Sequence, residues 1–378
     1  MKTITKILAV LLCVALLSPA VLAAELTSVD QMIADTAAGL SAMGGEAGTL
    51  LKGSGLFPAG TSGCDWSAIA LALAGSEEYY GAYLDALRNN VEEKYAQNGC
   101  LDSRKATEYH RIALTVLTLG GVPTAFGKKP DGMEIDLIAD GIYNYAGDSL
   151  GGQGLNGWIW ALIALDASGA AVPEDARYQR EDIISAILAA QEPDGGFGLI
   201  PGSSDIDITA MALQALAPYR EAHGAQIDAA LAYLSEKQSD SGGYVSYGAE
   251  NAESTAQVIL ALCALGIDPE TDARFIRDGH TLPNRLAQFR CRDGTFAHLL
   301  TDENGDYLAS AQSLLALIAV QRLRNGQEWV LRFEHYAGPN QKTNSKSTIT
   351  IYVVIGITAL AVCGAGIAVI AGKRKQHG

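Results

Sequence analysis

Six stretches of small and apolar residues recur along this chain at intervals of 44, 48, 51, 46 and 55 residues, measured between the leucines on which they align: Leu73, Leu117, Leu165, Leu216, Leu262 and Leu317. A period of this length marks a repeat architecture, in which each unit is a supersecondary module too small to bury its own apolar face. The aligned stretches, such as STAQVILALCALG at 254–266 and ASAQSLLALIAVQ at 309–321, lack a polar stripe, and a helix apolar on most sides is covered on most sides. The stretches before them, residues 28–40, 77–95, 133–145, 180–191, 226–238 and 273–289, mix charge with apolar residues at i, i+3 and i+4. Each of these helices therefore has one wet face.

Two concentric rings satisfy both patterns, with six inner helices packed on their neighbours and on six outer helices that meet water. The expectation is an all-α, α6/α6 toroid over residues 27–325. The competing arrangement, an open superhelix of helical hairpins, needs capping repeats with a polar outer face, and neither the first nor the last inner helix looks like one. Alternating topology puts every outer-helix C-terminus and every inner-helix N-terminus at one end, so that end should carry the function.

The turns at that end have a signature. Gln191 to Gly198 reads QEPDGGFG, with weaker copies QSDSGGY at 238–244 and QFRCRDGTF at 288–296. Glycine permits positive φ, aspartate caps, the glutamine can bond freed backbone groups and the aromatic fills the wedge between two hairpins. This is a stability device, and no catalytic role is assigned to it.

The inner-helix starts present Asp65 and Trp66; Glu108 and His110; Asn156, Trp158 and Trp160; Asp205, Asp207 and Thr209; Glu253 and Thr255; Tyr307, Ser310 and Gln312. Capping and the helix dipole favour acids in a first turn, which accounts for most of them. Asp205 and Asp207 form an Asp-x-Asp pair, however, and one of the two is surplus to capping. The candidate ligand-binding residues are Asp65, Trp66, Glu108, His110, Asn156, Trp158, Asp205, Asp207 and Tyr307. If the domain is an enzyme, Asp207, Asp205 and Glu253 are the candidate catalytic groups.

In these motifs the chain resembles the terpene cyclase and protein prenyltransferase superfamily, and QEPDGGFG is similar to the glutamine-aspartate-glycine-aromatic motif of squalene and hopene cyclases. The resemblance covers most of 29–324 and implies the toroid. In the cyclases an Asp-x-Asp-Asp motif supplies the acid that protonates an alkene, whereas here the fourth position is Ile208. The zinc-dependent prenyltransferases start an inner helix with Asp-x-Cys, which is absent here, so no metal or other cofactor is expected. Asp205 to Leu216 also resembles the inner-helix starts of secreted cobalamin carriers, which use the toroid only to bind, although no β-rich segment follows Arg324. Glycoside hydrolases and lyases built on α6/α6 barrels need two carboxylates across a cleft and aromatic platforms. Asp205 or Asp207 with Glu253 or Glu108, beside Trp66 and Trp158, could supply them.

The ends of the chain bear on location. Lys2 and Lys6, an apolar run from Ile7 to Leu17, and small residues through Ala24 form the three parts of a secretory leader, 1–23. Residues 349–371 contain no charge and at ~1.5 Å per residue exceed the ~30 Å of a bilayer core. The basic tail at 372–378 places that end in the cytoplasm, and 326–348 reads as a stalk. The expected protein is a single-pass cell-surface module facing an extracellular ligand, whether small molecule, glycan or protein. Removing the two leader lysines and the three basic residues of the tail from the formal charge of −15 leaves −20, which argues against nucleic acid. Of the exported cysteines, Cys64 and Cys100 lie at the same end of neighbouring repeats and are expected to pair. Cys263 should be a buried thiol and Cys291 an accessible one.

Overall fold

A computed structural model of the chain describes residues 29–46, 48–52, 58–246 and 248–333. The leader and the apolar stretch at 349–371 lie outside the described residues, and so does most of the stalk. Among the described residues no helix is long and apolar enough to cross a membrane.

The inner helices are α2 (Ser62–Leu73), α4 (Ala106–Thr118), α5 (Asn156–Ser168), α7 (Ile206–Leu216), α9 (Ala252–Ala264) and α11 (Tyr307–Arg324). Each holds one of the aligned leucines. They pack in sequence order, and α11 packs back on α2 as closely as most consecutive inner helices pack on one another, so the inner ring is closed and no superhelix forms. The outer layer comprises helical residues 29–42 (α1), α3 (Tyr80–Asn98), a π-turn at Ala139–Tyr143, α6 (Arg180–Ala189), α8 (Gly224–Lys237) and α10 (Leu282–Leu286). It closes as well, because Arg290 pairs with Asp35 of α1 at 2.5 Å and a Cβ on Gly39 would come within 2.5 Å of the Asp293 carbonyl. Among the described residues the one strand pair is short and antiparallel, Val245–Ser246 with Ala249–Glu250.

Two outer elements are shorter than their patterns imply. Residues 273–289 break into a 3-10 turn, a five-residue helix and a second 3-10 turn. Asp278 and Gly279 take positive φ and Pro283 sits in the first turn of α10, so no continuous helix can run through them. In the third outer element Gly141 is pressed against Tyr109 and its carbonyl receives a hydrogen bond from His110 at 2.9 Å, which favours a π-turn over a regular α-turn.

The glutamine turns act as expected. Gln191 Nε2 donates to Gly195 O and Gln226 O, both at 2.8 Å, and Gln238 Nε2 donates to Gly242 O at 2.9 Å and Phe275 O at 3.0 Å. Each glutamine therefore ties its own turn to the next outer element. Phe197, Tyr244 and Phe296 are fully buried as wedges. Gly195 has φ +86, and a Cβ there would stand 2.6 Å from the Ala229 carbonyl of α8, so only glycine fits.

The segment after α11, expected to begin the stalk, instead belongs to the domain. Val330 and Leu331 are 0% and 5% exposed and enter the ring from the end where the inner helices finish. Their apolar side chains gain cover there that a solvated stalk would deny them.

Candidate functional site

Several residues expected at the rim serve the fold. Asp65 is fully buried and accepts from Arg111 Nε at 2.8 Å, Tyr83 Oη at 2.6 Å and Gly60 N at 3.0 Å. Arg111 also forks onto Glu108, at 2.7 and 2.9 Å, and donates to Gly60 O at 2.8 Å. These groups lock α2, α3 and α4 together, so Asp65 and Glu108 are committed to one guanidinium. The sequence signal was Arg111 itself, an arginine in a helix otherwise fit for burial. His110 is fully buried, its pKa pushed down to about 4 by burial despite the Gly141 carbonyl. It is a neutral strut carrying its proton on Nε2, and Nδ1 has no partner.

Asp205 is the N-cap of α7, accepting from Ile208 N at 2.9 Å. Thr209 and Ser310 accept the backbone N–H of Phe197 and Phe296, at 2.8 and 2.9 Å, and so anchor the wedges. Tyr307 donates to the Met43 carbonyl at 3.0 Å, holding α11 to the loop after α1. Cys64 and Cys100 are both free, which corrects the expected disulfide. Cys64 is buried and Cys100 partly buried, and each acts electrostatically on a different set of tyrosines, Tyr83 and Tyr307 for Cys64 and Tyr109 and Tyr145 for Cys100. Cys263 is buried and Cys291 partly exposed, as expected.

Trp158 is also displaced from its expected role. It packs edge-on to Tyr178 at 5.3 Å and lines a groove beside α6, outside the ring. Asn156 and Trp160 are four residues apart and share the lumenal face, while a two-residue step turns Trp158 roughly 200° away. Trp160 therefore meets Trp66, with ring centroids 5.2 Å apart and planes inclined at 56°.

This tryptophan pair lies in the wall of a central cavity of about 190 Å3, whose other linings include Met211, Gln214, Gln257, Gln312, Leu260 and Leu315. Val330 and Leu331 form its floor. The glutamines make a ladder across three helices: Gln214 Nε2 donates to Gln257 Oε1 at 2.8 Å, and Gln257 Nε2 to Gln312 Oε1 at 2.9 Å. Gln214 and Gln257 escaped sequence reasoning, yet a signal existed. Trp160, Met211, Gln257 and Gln312 all stand five residues before their aligned leucine, a position that faces the lumen in four helices.

Directly above the cavity, one helical turn toward the rim, stand Asn156, Asp207 and Glu253. Asp207 Oδ1 is buried with no hydrogen-bond partner, and the Ser254 and Ser246 hydroxyls favour its charged form only weakly against its burial. Burial, assisted by Asp205 and Glu253, pushes its pKa up to about 6. Burial also raises the Glu253 carboxyl, against a 2.8 Å contact from His298 Nδ1. The structure therefore brings Asp205, Asp207 and Glu253 together above Trp66 and leaves Asp65, Glu108, His110 and Trp158 out. No group of three acids, histidines or cysteines among the described residues is placed to hold a metal ion.

A larger cleft of about 670 Å3 runs along the turn at 288–293 and the loop at 299–304. It lies at the edge of one repeat and is walled by exposed polar groups. The central cavity is the better candidate because most of the inner helices converge on it.

The class of protein that this ring defines has a counterpart among known families. The family model of the prenyltransferase alpha-alpha toroid domain matches residues 148–364, more than half of the chain, and the chain belongs to that family. No curated protein matches it.

Proposed function

We propose that this domain is a membrane-anchored, extracellular binding module that holds a small ligand in the central cavity without transforming it. The leader at 1–23 and the apolar stretch at 349–371 support the location. One observation carries the choice of binding over catalysis: no acid, base or thiol lies among the residues lining the cavity. At about 190 Å3 it is smaller than the roughly 300–1,000 Å3 of pockets for drug-sized ligands. A polyisoprenoid would not fit, which weighs against cyclase chemistry. The test is a thermal-shift and native mass-spectrometry screen of the full-length protein in nanodiscs against neutral sugars, nucleosides and amides. A hit that raises the melting temperature and is lost in Trp160→Leu is expected. Turnover of any of these compounds that vanishes in Asp207→Asn would overturn the proposal.

A second reading has one observation in its favour. Asp207 keeps its proton to about pH 6 beside Glu253, the kind of pairing that glycan hydrolysis exploits for a general acid and its partner. On that reading, hydrolysis of an extracellular glycan should decline as pH rises through about 6.

A further inference from the structure

We infer that the central cavity takes an uncharged, single-ring ligand bearing both a hydrogen-bond donor and an acceptor, packed on Trp66 and Trp160 and read by the two ends of the glutamine ladder. This deepens the binding proposal above and rests on it.

Charge is decided by the wall. Every lining side chain is neutral, so an ion seated in the cavity would lose its hydration with no countercharge in direct contact, the Asp207 and Glu253 carboxyls standing a helical turn above it. Size is decided by volume, since about 190 Å3 leaves room for one ring and a short substituent. The indoles supply flat apolar surface, and their tilt of 56° rules out a closed parallel stack.

The ladder decides polarity. Gln257 is engaged on both sides, with its oxygen toward Gln214 and its nitrogen toward Gln312. The chain of amides therefore ends in an NH2 group on Gln312 and a carbonyl oxygen on Gln214, neither of which pairs with another described side chain. Reversing all three amides would exchange the ends but still leave one donor and one acceptor. Aligned amides also polarise one another, so the terminal groups are stronger partners than an isolated glutamine offers. A ligand with one donor and one acceptor satisfies both ends, and a purely apolar one leaves them dry.

Benzamide, benzoate and benzamidine share a ring and differ in charge, which makes them suitable probes. Binding to the full-length protein in nanodiscs is followed by equilibrium dialysis and by the exciton circular dichroism of the tryptophan pair. Saturable benzamide binding is expected, at least about tenfold tighter than either charged analogue. Gln312→Leu should weaken benzamide by about fivefold, the loss of one hydrogen bond. Gln312→Glu, which keeps the shape and adds a charge, should shift the preference to benzamidine. Charged analogues binding as tightly as benzamide, with all binding lost in Trp160→Leu, would overturn the ligand class while leaving the cavity as the binding site. Dichroism unmoved by all three probes, or benzamide affinity unchanged in Gln312→Leu, would overturn the inference directly. The nanodisc screen decides separately whether the domain binds at all.

Discussion

Asp207 holds its proton to about pH 6 because burial disfavours the anion, and the unfolded chain releases that proton near 3.8. A carboxyl whose folded pKa is raised contributes its stability below the unfolded value and loses it as pH rises through the folded one. Above pH 6 the charged Asp207 should therefore cost on the order of 3 kcal/mol, at ~1.36 kcal/mol per pKa unit. Asp207→Asn should melt a few degrees above wild type at pH 7.5 and level with it at pH 4, as paired calorimetric scans would show. His110 works in the opposite direction. Its folded pKa of about 4 lies below the ordinary 6.5, so its contribution is present above 6.5 and disappears as pH falls through 4. NMR titration of its imidazole should show a neutral ring down to about pH 4, and an ordinary titration near 6.5 would contradict its burial. A third residue-scale expectation concerns Arg111: its replacement by Met strands the buried Asp65 carboxylate and should cost about 3–5 kcal/mol in denaturant melts at pH 7.

At the scale of elements, the glutamine turns differ in how much depends on them. Gln238 is buried and satisfies two backbone carbonyls, whereas Gln288 accepts only from Arg285 at the surface. Gln238→Ala should cost about 2–4 kcal/mol in urea melts, and Gln288→Ala less than about 1. The purpose of these turns was legible in the sequence because glycine, aspartate, glutamine and an aromatic each do one local job there. The short outer elements were legible only in part: Gly279 and Pro283 announce a break, but the π-turn at Gly141 depends on His110, 31 residues away. The rim was harder still. Telling Trp160 from Trp158 requires knowing where α5 begins and which side of it faces inward, and a two-residue error reverses the answer. The pairing of Asp65 with Arg111 spans 46 residues, so no local pattern reports it.

At the scale of the whole molecule, ring closure was legible because neither the first nor the last inner helix carries the polar outer face that a capping repeat needs. What composition could not convey is that the chain after α11 turns back to floor the cavity, since Trp329 to Leu331 is too short for periodicity to register. Ending the chain at Asn325 should open the cavity from below. Acrylamide should then quench Trp66 and Trp160 more strongly than in the full chain, while far-ultraviolet circular dichroism stays helical.

The contact of α11 with α2 joins helices whose first residues, Ser62 and Tyr307, are separated by 245 positions. During synthesis the earliest repeats must therefore wait, one flank bare, until nearly the whole domain has left the ribosome. Closure, which needs the contact of greatest separation among the inner helices, is expected to come late and slowly in folding. A nascent chain stalled before Tyr307 should be a substrate for holding chaperones, a dependence that the finished ring no longer has.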